Sequence, residues 1–299
     1  MEKSKVSLHN HLGRNGNNPG FDETIDIIYR GLGAGGVFGI ANCNDFRFEK
    51  FVFQPNQRYE RTFIGYNIKQ PVAVYIPDKQ IMIIRGQEVF SDKGHFLVFG
   101  YERNIERTGL DDGLHEATDN MAIIGTDNRY YISGLGKFLE KNPSYEGYFD
   151  FDEAYNGTSE IGKWFVGPRD ANEKSIEHYQ KNIRGNVFEN PRNGKKHLIG
   201  ACSFGDTHQI KRFSGNLTGK SHTMMDLNFM QNPDQIKGPE WIDEFRYKLH
   251  YSTIKDCAMK PNKWDALCHV FNLTIVNKIE KIAGLTFHEK ADNLDKIIG

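Results

Sequence analysis

A short strand, a helix and a second short strand open this chain, and no other feature limits its fold as much. Val6-Ser7-Leu8-His9-Asn10-His11-Leu12-Gly13 alternates like a strand, and Val37-Phe38-Gly39-Ile40-Ala41 is a second apolar run. Between them, Phe21 to Arg30 repeats Ile25, Ile28 and Tyr29 at helical spacing, with Asp22 expected as N-cap and Gly31 as the stop. Strand, helix and strand in that order make a right-handed crossover that lays the two strands parallel and adjacent. Their ends, His9-Asn10-His11 and Asn42-Cys43, therefore share one rim.

Further apolar runs follow at Ile81-Met82-Ile83-Ile84, Gly94 to Gly100, Met121 to Gly125, Tyr148 to Ala154 and His197 to Phe204. They predict more strands of the same sheet. Phe46 to Val72 reads as helix and long loop, and Asn172 to Asn182 as a helix before a turn at Asn193-Gly194. These two less periodic regions, Phe46 to Val72 and Glu160 to Asn193, are expected to shape a pocket. From Gly238 the pattern turns helical at Trp241 to Ile254, Trp264 to Ala283 and Glu289 to Ile298. The expected organisation is a barrel over 1–237 and a C-terminal helical extension over 238–299 that packs on the barrel or on a partner chain.

At 299 residues and 38% hydrophobic content the chain can bury a large core. A net charge of -1 gives no broad footprint for nucleic acid or a membrane surface, leaving only a local basic groove open. No apolar run is long enough to span a bilayer and the N-terminus lacks a signal-peptide pattern, so the expected address is the cytoplasm. Cys43, Cys202, Cys257 and Cys268 form no CxxC pair, which fits a reducing compartment.

The chemistry is written at the strand ends. His9 and His11, two residues apart on a strand, project to one face and can reach one ion. Cys43, Glu88, Asp127, Asn156, Asp206 and His208 end or follow other runs, with His95 beside one. In a parallel barrel every strand's carboxyl end opens on one face, so these residues meet in one basin. Imidazole, carboxylate and thiolate suit zinc, and the carboxylate share also admits manganese or iron. The plainer reading is a set of hydrogen-bonded strand-end residues.

The order His9-Asn10-His11, Gly86-Gln87-Glu88-Val89, Gly94-His95 and Gly205-Asp206-Thr207-His208 resembles the PHP (polymerase and histidinol phosphatase) family over roughly residues 6 to 215. That resemblance implies an α/β fold, a distorted (β/α)7 TIM-like barrel, holding one to three divalent ions, zinc or manganese with iron also admitted. It places His9, His11, Glu88 and Asp206 around a first ion, Glu88 bridging to a second, His95 on the second and His208 on the third. Where the family usually has Asp-His after strand two this chain has Asn42-Cys43, and where it has His-Pro it has Thr126-Asp127. Cys43 and Asp127 are the replacement ligands.

The implied reaction is hydrolysis of a phosphate ester by a metal-bound hydroxide. The substrate is a small phosphomonoester or a nucleotide, with nucleic acid also admitted. Glu88, His208 and Arg85 are the candidate catalytic groups: His208 to protonate the leaving oxygen, Arg85 to share phosphoryl charge, along with Arg14, Lys211 and Arg212. No Gly-x-Ser-x-Gly elbow or Gly-x4-Gly-Lys loop occurs, and Gly31-Leu32-Gly33-Ala34-Gly35-Gly36 reads as a turn. Two rivals stand beside this reading: a PHP-like binding or regulatory module whose metal positions have degraded, and a metal-dependent amidohydrolase. No membrane partner is expected, and a homo-oligomer through the C-terminal helices is an open expectation.

Overall fold

The computed structural model describes residues 3–12, 20–43, 47–55, 58–65, 69–162, 168, 170–207, 218–231, 236, 240–259 and 265. Its strands are β1 (Ser4–Ser7), β2 (Val37–Cys43), β3 (Thr62–Ile64), β4 (Ala73–Ile76), β5 (Ile81–Phe90), β6 (His95–Phe99), β7 (Ile123–Thr126), β8 (Phe151–Asn156), β9 (Val187–Glu189), β10 (Lys196–Leu198), β11 (Gly200–Phe204), β12 (Ser221–Met225) and β13 (Cys257–Met259). The helices are α1 (Phe21–Leu32), α2 (Arg47–Val52), α3 (Leu110–Asp119), α4 (Gly136–Lys141), α5 (Gly157–Gly162), α6 (Ala171–His178) and α7 (Glu240–His250).

One sheet runs in the order β11-β8-β7-β6-β5-β2-β1-β12-β13, with β4 also paired to β5 and β3 to β4. It curls into a nearly closed barrel. Beyond β1 the chain continues to a parallel bridge between Asn10 and Thr207, where the His11 N–H donates to the Thr207 carbonyl at 2.8 Å and ties the opening segment to the stretch after β11. The first crossover is as expected: β1 and β2 are parallel, Val6 opposite Val37, with α1 between them in sequence.

The barrel is α/β but mixed rather than parallel throughout. β5 and β6 are antiparallel, as are β6 and β7, because only a short turn separates β5 from β6 and a parallel return would need a long crossover. This reversal matters for the site: β6 runs away from the rim, so its first residue, His95, lies opposite Phe90 near the carboxyl end of β5. β7, β8 and β11 are parallel to one another and end at the same rim.

Alternation along each strand sorts the core. Val6, Leu8, Met82, Ile84, Leu97, Phe99, Phe151 and Phe204 fill one interior cluster. Phe38, Ile40, Ile81 and Ile83 face outward onto Ile25 and Ile28 of α1. Phe99 and Phe151 meet at a ring-centroid distance of 6.3 Å, and a Cβ on Gly125 would stand 2.0 Å from the Phe151 ring.

Several local expectations are corrected. Asp22 lies inside the first turn of α1 and Gly20 is the N-cap; Gly31 is still helical, and the C-cap is Gly33. Gly31 is there for space, since a Cβ would fall 2.5 Å from the Thr218 carbonyl oxygen. The run His197 to Phe204 is two strands: Lys196–Leu198 pairs with β9 in a separate hairpin, and Gly200–Phe204 enters the barrel. Gly200 marks the break because the Leu249 carbonyl of α7 occupies the place of a Cβ, at 1.7 Å. Past α7 the chain returns to the sheet as β13, antiparallel to β12. The expected helices at Trp264 to Ala283 and Glu289 to Ile298 lie outside the described residues, Asp265 apart. No described helix is long and apolar enough to cross a membrane.

Candidate metal centre

The rim carries the side chains that the strand ends supply. His9 and His11 are 2% and 1% exposed, and their Nε2 atoms approach to 3.2 Å, as expected of residues i and i+2 on extended backbone. Asp206 Oδ1 lies 3.2 Å from His11 Nε2 and 3.6 Å from His9 Nε2. Asp206 holds φ at +46° and Asn128, just past β7, at +31°. Both are residue types that tolerate this left-handed region, and strained backbone of this kind concentrates at functional sites.

Glu88 spans two positions. Its Oε2 is 3.5 Å from His11 Nε2, and its Oε1 accepts a hydrogen bond from His95 Nδ1 at 2.6 Å. Asp127 lies 3.6 Å from both His95 Nδ1 and His9 Nδ1. Three overlapping groups of donors result: His9, His11 and Asp206; Glu88, His95 and Asp127; and His9, Asp127 and Glu153. Within each group the donor atoms lie within 4.8 Å of one another.

Glu153 was not among the residues picked from the sequence. Both its carboxylate oxygens lie 3.1 Å from His9 Nδ1. The Asn128 N–H donates to Oε2 and the Asn156 side-chain amide to Oε1, so the carboxylate is occupied in holding the His9 ring. That is how a carboxylate behind a ligating histidine fixes its tautomer and leaves Nε2 toward an ion. The signal was legible in part: Asp152 and Glu153 interrupt a run flanked by Phe149, Phe151 and Ala154 that is buried throughout. Asn156, taken from the sequence as the end of this strand, also donates to Asp206 Oδ2 at 3.2 Å.

Arg85 is not part of the basin. Three residues before Glu88 on one strand, it projects to the opposite face, where it pairs with Glu49 at 2.6 Å and donates to the Glu102 carbonyl. Adjacency in sequence was its only warrant, and period two overrules it. Cys43 stands opposite Glu88 in the β2–β5 register, but its side chain lies outside what is described. His208, Arg14, Lys211 and Arg212 also lie outside the described residues. Asn42 and Thr126 have structural partners: Asn42 Oδ1 accepts from the Leu12 N–H, and the Thr126 hydroxyl donates to Asp152.

A buried network lies behind the rim. Arg129, 1% exposed, donates through Nε to Asp152 and through both Nη atoms to Glu146, at 2.6 to 2.9 Å. Burial alone would raise the Glu146 pKa, but Arg129 and His178 bring it down to about 2.

Protonation in the basin shows what the donors lack. Burial opposes charge on His9, yet Glu153, Asp206 and Asp127 reverse this and hold its pKa well above the ordinary value. Burial likewise opposes charge on His95, which Asp127 and Glu88 bring up to about 9. Asp127 is pushed up by burial and by Glu88, and burial lifts Glu153 to about 7 against the pull of His9. Carboxylates that resist ionising and imidazoles that collect protons signal a deficit of positive charge. Imidazole nitrogens and carboxylate oxygens are the donors that zinc, manganese and iron take, so the residues present fit such an ion.

No family model matches the chain, and no curated protein matches it. A solved structure resembles it. That structure is a two-domain protein containing a predicted PHP-like metal-dependent phosphoesterase from Bacteroides vulgatus ATCC 8482. It aligns over 83% of this chain with a TM-score of 0.46 and 14% sequence identity. The chain spans 63% of that protein's length.

Proposed function

We propose that this chain is a metal-dependent phosphoesterase whose ions sit at the barrel rim. The observation that carries the reading is Glu88, whose two oxygens face different histidines, His95 at 2.6 Å and His11 at 3.5 Å, between overlapping donor groups. A carboxylate so placed suits a pair of ions, the arrangement that serves in-line displacement at phosphorus. The order of the four sequence motifs, similar to that of the PHP family, narrows the reaction to a phosphate ester.

His9, His11 and Asp206 would hold one ion, and Glu88, His95 and Asp127 a second, with zinc, manganese or iron as the candidates. When bound, such ions supply Lewis acidity toward the phosphoryl oxygens and lower the pKa of the attacking water. The chain's own residues do the rest. Glu153 orients His9, and Asn156 spans Glu153 and Asp206 so that the donors keep their spacing. His95, with a side chain 23% exposed against 2% for His9, is the more open of the two imidazoles, and its Nδ1, which donates to Glu88 without an ion, would release that proton when an ion binds.

The test is hydrolysis of an aryl phosphate monoester and diester by metal-loaded protein. Turnover lost in His9→Ala and in Glu88→Ala supports the reading. Retained metal with no turnover on monoesters, diesters or oligonucleotides would replace the enzyme by a binding module.

A further inference from the structure

A second group of donors lies at the other end of the barrel. Asp150 directly precedes β8, its carbonyl accepts the Gly200 N–H at the start of β11, and its Oδ2 accepts the Ile124 N–H of β7. It therefore marks the amino ends of these strands, opposite the rim. His197 comes from the β9–β10 hairpin and His250 from the last turn of α7. Their rings stack at 5.0 Å and 28°, and His250 Nε2 donates to Asp150 Oδ1 at 2.8 Å. The Asp150 and His250 side chains are 12% and 14% exposed.

We infer that Asp150, His197 and His250 form a separate structural site for a zinc-class divalent ion. One donor atom from each lies within 4.8 Å of the others, and two imidazoles with one carboxylate make a set that zinc accepts. The surrounding groups already hold these donors: the Phe149 carbonyl accepts the His197 Nε2–H at 3.0 Å, and the Ile124 N–H donates to Asp150 Oδ2, leaving Oδ1 on the His250 side. Arg246 pairs with the same oxygen of Asp150 as His250, so an ion would share that carboxylate with the guanidinium. Its guanidinium donates to Asp243 at 2.8 Å and to the Met121 carbonyl, while its Nε stays 3.4 Å from Asp150. The three ligands face a cavity of about 540 Å³ that gives an ion access and leaves a fourth position for water. On binding, the His250 proton moves from Nε2 to Nδ1, so that the Nε2 lone pair faces the ion and the ring stays neutral. The ion would tie α7 and the hairpin to the foot of the barrel.

Zinc stoichiometry measured by elemental analysis after chelator stripping and reloading tests this. In His9→Ala/Glu88→Ala, which removes a donor from each rim group, a zinc ion per chain should remain and should raise the melting temperature. Adding His197→Gln, on the half-buried hairpin, should remove both the ion and the rise. A rim variant that binds no zinc, or a folded triple variant that binds as much as the double, would overturn the site. Should the rim variants not fold, the native chain against His197→Gln decides: one ion fewer supports the site, and equal counts overturn it.

Discussion

At the rim each donor owes its direction to a neighbour. Glu153 is the clearest case, because its oxygens are taken up by His9, Asn128 and Asn156. Glu153→Gln keeps the shape but loses a charged acceptor behind His9, and zinc affinity should fall about 10- to 100-fold, read by competition with a chromophoric chelator. Unchanged affinity would mean that His9 is oriented by something else. Glu146 sets a pH dependence. Its folded pKa of about 2 lies below the ordinary carboxylate value, so its stabilising effect is complete above that ordinary value and is lost as pH falls toward 2. Melting temperature against pH should drop through that window in the native chain, and Glu146→Gln should start lower and drop less.

At the scale of elements, the Arg129 network joins the loop after β7 to β8 and to the turn carrying Glu146. Arg129→Met leaves two buried carboxylates without their cation and should destabilise the fold by about 3–5 kcal/mol in urea unfolding. A Cβ at position 125 meets the Phe151 ring at 2.0 Å, so Gly125→Ala should cost about 1–3 kcal/mol by the same measurement. Much of this architecture was legible. The βαβ opening and the strongly apolar β2, β5, β6 and β7 read directly from hydrophobic runs, and their ends led to His9, His11, Glu88, His95, Asp127 and Asp206. What escaped has physical causes. β12, Ser221-His222-Thr223-Met224-Met225, is mostly buried yet polar, its Thr223 hydroxyl accepting the Ser203 N–H and His222 bonded to the Gly219 carbonyl, so no apolar run marks it. The direction of β6 depends on the length of a turn, which hydrophobicity does not record. Glu153 lay inside a strand, and attention to strand ends passed over it; Arg85 was included for adjacency alone.

Across the whole molecule, the barrel places two donor clusters at opposite ends, one from strand ends and one from the residue before β8, a hairpin and α7. The upper cluster holds more carboxylate than its surroundings neutralise, and burial makes that imbalance costly. The central claim is that a divalent ion corrects it. Anomalous diffraction at a metal absorption edge, from crystals of protein purified without chelators, tests it most directly. The account predicts a peak among His9, His11 and Asp206 at about 2.0–2.2 Å from the donor atoms, with density shared toward Glu88. A rim with fully hydrogen-bonded side chains and no anomalous peak, at saturating zinc or manganese, would contradict it.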